Sequence, residues 1–155
     1  MVGNEAKTLG IKKRQRLSQA VVRFLDAPFA LGDMSKGWDC LNSLAEFYDS
    51  MGAEFPRKFG DWDESNYVLR WNENEKKSRE VFRQFLRSLG KSVDWNYAVA
   101  GDLLLFERMD IPIFPGIYMG NGNVLINWGV KKGMKVAPLT ELLKLKFFIE
   151  ARRLL

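Results

Sequence analysis

Near residue 101 the apolar pattern of this chain changes period, and that change limits the fold more than any other feature. Before it, apolar residues recur at helical spacing; after it, they come in short runs separated by Gly or Pro, as strands do. Leu17, Val21 and Leu25 repeat every four residues and predict a helix over 12–26, which Pro28 ends. Asp39 is suited to cap a second helix over 40–51, with Leu41, Leu44, Ala45, Tyr48 and Met51 on one side and Gly52 closing it. Val81, Phe82, Phe85, Leu86 and Leu89 predict a third helix over 73–89, stopped by Gly90, while residues 56–72 read as irregular and aromatic. Strands over 102–107, 113–119, 123–128 and 134–137 follow, with Asn121-Gly122 as a hairpin turn. A short helix over 139–146 and a closing strand over 147–154 complete the chain. Helices first and a meander of strands afterwards indicate an α+β fold, with the N-terminal helices packed on one side of an antiparallel β-sheet.

The 155 residues suffice for one domain with a substantial core. Residues 1–15 read as an N-terminal basic arm and 16–155 as the single domain. One cysteine excludes an internal disulfide and a multi-cysteine zinc site. Without histidine a metal site must be built of carboxylates, and no calcium-type loop is present, so no metal and no cofactor are expected. No run of about 18 apolar residues predicts a membrane helix. The first 16 residues carry charge with no apolar segment behind it, so no secretory signal is expected. The net charge of +5 serves solubility and favours an anionic partner weakly. Lys12, Lys13, Arg14 and Arg16 crowd the first turn of the first helix, where the helix dipole disfavours them. Either they face a partner or the helix starts later. The mixed charges of the 73–88 segment read as a solvated face, and nucleic acid is not an expected partner. The five tryptophans read as core or interface anchors.

Several short phrases occur in order. They are Ala27-Pro28-Phe29-Ala30-Leu31-Gly32, Gly37-Trp38-Asp39-Cys40 and Met51-Gly52-Ala53-Glu54-Phe55-Pro56-Arg57. Then come Leu89-Gly90-Lys91-Ser92-Val93, Ala100-Gly101-Asp102-Leu103-Leu104-Leu105-Phe106 and Pro115-Gly116-Ile117-Tyr118-Met119-Gly120-Asn121-Gly122. This ordered set resembles the NlpC family of papain-like cell-wall cysteine peptidases, over roughly residues 24–58 and 89–155. The resemblance implies a papain-like fold and makes about 60–88 an insertion.

The same resemblance puts the family nucleophile at Cys40, the family histidine at Phe114 and the third triad member at Ile126. Asn127, one step along the strand, is then expected to point away from the site, since strand side chains alternate faces. The family tyrosine near the thiol falls on Phe29, and its Ser-Gly after the nucleophile on Leu41-Asn42. Cys40 opens an apolar helix, where the dipole and unpaired N–H groups favour a modest thiolate; a small buried hydrophobe is the other reading. Asp39, Asp102 and Glu107 are the nearest carboxyl candidates for a general acid, with Asp102 structural in the family. With every polar triad position but the cysteine apolar, the chain resembles a degenerate member; its short length, its Arg16-Leu17-x-x-Ala20 through Phe24-Leu25-x-x-Pro28-Phe29 and its early Asp39-Cys40 resemble the small members found among phage tail genes and in gene-transfer particles. The expected role is a catalytically inactive structural component of a tail or tail tip. Its partners would be other tail proteins, docked through residues 1–16 and the 60–88 insertion, with peptidoglycan a further candidate. Its place would be the virion. The alternatives are a peptidoglycan peptidase using Cys40, complete in itself or completed by a partner, and a basic cytoplasmic binding module.

Overall fold

The computed structural model describes residues 12–19, 22–32, 37, 39–127 and 133–155. The first helix, α1, is seen over 12–19 and 22–24. Residues 12–15 are therefore helical; the rest of the proposed arm, and Val21, lie outside the described residues. Leu17 and Phe24 are buried, while Leu25 is 42% exposed. The four-residue stripe thus misplaced its last member. Four residues overshoot a 3.6-residue turn, so Phe24, seven residues on, returns to the face of Leu17, and Leu25 falls in the turn that follows the helix. The helix gives way to a turn at 25–26, ahead of Pro28, with Asp26 in the left-handed region at φ 62° and paired with Lys135. Arg16 donates to the Met51 carbonyl at 3.4 Å, at the end of the next helix, where a cation suits the dipole.

That helix, α2, runs Cys40–Ser50 and buries Leu44, Ala45, Phe47 and Tyr48. A two-stranded hairpin, β1 (Lys58–Phe59) and β2 (Trp62–Asp63), leads into α3 (Tyr67–Glu73) and α4 (Glu75–Ser88). Residues 67–72, expected to be irregular, are helical: Tyr67 and Trp71 are one turn apart and both pack inward. Phe82, Phe85 and Leu86 of α4 join the main core, so the 60–88 segment folds onto the domain.

The sheet holds β3 (Lys91–Val93), β4 (Leu103–Arg108), β5 (Ile111–Gly120), β6 (Asn123–Asn127), β7 (Met134–Pro138) and β8 (Phe148–Arg153). Its order is β3-β8-β4-β5-β6-β7 and every pairing is antiparallel. At the β5–β6 turn Asn121 and Gly122 have φ of 52° and 76°, as a type I′ hairpin requires.

Leu103, Leu105, Ile117 and Leu125 point to a core shared with α1, α2 and α4. Leu104, Phe106, Val124, Ile126 and Ala151 point the other way, to a second core closed by Leu142 of α5 (Leu139–Lys144) and by Phe147. The N-terminal helices thus pack on one face of the sheet, as expected, and the C-terminal α5 covers the other. The unbroken Leu103-Leu104-Leu105-Phe106 run reflects this, since a strand buried on both faces does not alternate.

Two polar ties hold the sheet to its surroundings. The buried Asp102 carboxylate accepts two bonds from the Arg153 guanidinium, at 2.9 and 2.8 Å, and one from the Val99 N–H. Tyr48 donates its hydroxyl to the Gly101 carbonyl at 2.9 Å. Gly116 marks the tightest approach in the second core. A Cβ there would lie 2.6 Å from both Ile126 Cγ2 and Val124 Cγ1. Gly116→Ala should cost about 1–3 kcal/mol through overpacking; an unchanged urea midpoint would contradict this packing.

Candidate active-site cleft

Asp39 builds the start of α2. Its Oδ1 accepts from the backbone N–H groups of Leu41 (2.9 Å) and Asn42 (2.7 Å), and Asn42 Oδ1 accepts from the Asp39 N–H at 2.7 Å. This reciprocal capping box fixes the first turn. Asp39 Oδ2 accepts two further bonds, from the Gly32 N–H at 2.8 Å and the Tyr67 hydroxyl at 2.7 Å. A carboxylate only 3% exposed thus has four donors. Tyr67, from α3, went unremarked in the sequence. Its signal is the Tyr67–Trp71 spacing of four.

Cys40 follows this cap as the first residue of α2 and lines a cleft of about 930 Å³. Phe29, Leu31 and Leu41 form one wall, Trp71 and Phe82 a second, and the start of β5 from Ile111 to Phe114 a third. Burial, and then the neighbouring Asp39 carboxylate, push the Cys40 thiol up to about 12. The modest thiolate expected from the helix terminus is therefore not found. Desolvation of the anion outweighs the dipole here. The Tyr67 hydroxyl is raised as well, by burial and by its bond to Asp39.

Phe114 shares the cleft with Cys40. Its ring nevertheless packs with the second core, stacked on Phe106 at 5.1 Å and edge-on to Phe147 at 5.1 Å, while Ile113 packs with Cys40 in the main core; the position offers hydrocarbon and no proton acceptor. Phe29 also lines the cleft. Ile126 does not: it is 1% exposed and belongs to the second core. Asn127 does line the cleft. The two residues do face opposite ways, but Asn127 is the one directed to the thiol side, the reverse of the expectation. Neither Asp102 nor Glu107 lines it; Asp102 is held by Arg153, and Glu107 by Arg83 at 2.5 Å. Among the described residues, no group of three or more His, Cys, Asp or Glu side chains could hold a metal ion.

The family model described as "NlpC/P60 family" matches residues 26–153. Among solved structures, an NlpC/P60 family protein from Bacillus cereus ATCC 10987 is similar, with a TM-score of 0.62 and 22% identity, over 92% of this chain and 40% of that one. The NlpC/p60 domain of the peptidoglycan hydrolase SagA gives 0.58 and 17%, over 90% of this chain and 98% of the domain. NlpC1 from Trichomonas vaginalis gives 0.59 and 15%, over 92% of this chain and 44% of that one. This chain thus spans less than half of the Bacillus and Trichomonas proteins. At these identities the likeness concerns the fold. No curated protein matches the chain.

Proposed function

The chain belongs to the NlpC/P60 family, a family of cell-wall peptidases, and we propose that it is a catalytically silent member. Its role is structural, as a component of a phage or gene-transfer-particle tail or tail tip, bound to other tail proteins within the virion. The observation that carries the silent reading is Cys40, a thiol held protonated in a cleft where the family-base position, Phe114, offers no proton acceptor. Cysteine hydrolases need a thiolate and a general acid for the leaving amine, and acid–base help is worth about 100- to 10,000-fold. The chain has no histidine to supply either. Support for the tail role is the resemblance of Arg16-Leu17 through Phe29 and of the early Asp39-Cys40 to the short members found among tail genes.

Purified peptidoglycan of several wall types tests the silent reading. Wild type, Cys40→Ala and Phe114→His should all release no peptide above buffer, the last because position 114 packs with Phe106 and Phe147 in the second core and Phe29 brings no hydroxyl. Release that depends on Cys40 would overturn it. Mass spectrometry of purified particles tests the location; a chain absent from them is not a tail component.

A further inference from the structure

We propose that the cleft over Cys40 is a binding site for a free, uncharged, single-chain alkyl compound, a ligand class a peptidase cleft would not select. The inference rests on the reading of the cleft as silent and gives the altered cleft an occupant. Its volume of about 930 Å³ lies in the range of small-molecule sites. Its walls are aromatic and aliphatic, among them Phe29, Trp71, Phe82, Ile113 and Phe114.

Most of the described polar side chains in the lining are already engaged. Asp39 holds four donors, the Tyr67 hydroxyl is one of them, and Asn127 has a partner of its own. At the mouth Arg79 is bonded to Glu75 at 2.6 Å. A peptide stem drawn into this cleft would bury N–H and C=O groups without partners, and a buried unpaired polar group is costly. A carboxylate would meet two others among the described lining residues, Asp39 and Glu75, against the single guanidinium of Arg79. An alkyl chain meets neither cost and gains from burial against the rings.

The test uses the intact protein and the uncharged fluorescent probe N-phenyl-1-naphthylamine, displaced by 1-octanol, 1-decanol and 1-dodecanol. Saturable one-to-one binding is expected, with each added methylene tightening the alkanol about fourfold, the equivalent of burying one CH₂. Dodecanol should also slow alkylation of Cys40 by iodoacetamide at pH 10, because the chain lies over the thiol. Leu145 lines the mouth and is 42% exposed, so Leu145→Arg should weaken dodecanol severalfold without altering the melting temperature. No saturable binding, affinity indifferent to chain length, or binding that leaves Cys40 alkylation unchanged would each overturn the proposal. Those failures are distinct from failure of the silent reading, which Cys40-dependent wall hydrolysis detects.

Discussion

Iodoacetamide should alkylate Cys40 in the folded protein about a thousandfold more slowly at neutral pH than it alkylates an unburied thiol, because reactivity follows the thiolate fraction. The shift behind this runs from 9.0 to about 12, with burial the larger cause and Asp39 the second. The rate should therefore keep rising with pH well beyond the point where an ordinary cysteine levels off. The same shift is a stability statement. The folded thiol titrates above the unfolded one, so its contribution is whole below about pH 9 and is lost as pH rises toward about 12. Across that window wild type should lose up to about 1.4 kcal/mol per pH unit relative to Cys40→Ala, the limit for one proton. Tyr48 and Tyr67 are also raised by burial, but they titrate in both proteins and cancel in the difference. Denaturant titrations of both proteins at pH 8, 9, 10 and 11 measure it. A Cys40 that alkylates within about tenfold of a free thiol, or a flat difference curve, would show the thiol to be solvated and would reopen the catalytic question.

Much of this was legible in the sequence, and the exceptions have physical causes. The helix starting at Cys40, the stops at Gly52 and Gly90 and the Asn121-Gly122 hairpin are set by neighbours along the chain. Capping, positive φ and periodicity predict them without knowledge of the rest. Edge strand β3 was not anticipated, because three residues with two exposed side chains carry no period; only pairing with β8 makes them a strand. The second core was missed for a similar reason, since Leu142 and Phe147 acquire a face to cover only after β4 is buried on both sides. At the site, the ordered phrases place Cys40, Phe29 and Phe114 around one cleft. They do not decide between Ile126 and Asn127, because which face of β6 looks toward the thiol is fixed by the whole sheet's register. They also say nothing of Tyr67, which reaches Asp39 across 28 residues of chain.

Asp39→Ala should be among the most damaging single substitutions at this site, at about 2–4 kcal/mol. Loss of the cap on α2 accounts for about 1 kcal/mol of that. The larger part comes from the donors left behind. The Tyr67 hydroxyl and the Gly32 N–H both point at Oδ2; the exposed Gly32 N–H can turn to water, but the buried Tyr67 hydroxyl left without an acceptor costs about 1–3 kcal/mol. At this chain length the melting temperature should fall by about 5–15 °C. Tyr67→Phe removes one donor along with its need for an acceptor, so it should cost only about 1 kcal/mol. A double-mutant cycle between the two should then show coupling of about 1–2 kcal/mol, as expected for partners in direct contact. Additive effects would mean that the 2.7 Å bond contributes nothing and that α3 is held by its other contacts, Trp71 against Phe82 and Trp62 and the Ser78 hydroxyl on the Arg70 carbonyl. Hydrogen exchange separates the two cases. If the bond anchors the segment, amides of α3 lose protection in both single mutants while those of β4 and β5 keep theirs, because the sheet's own ties through Asp102 and Tyr48 are untouched.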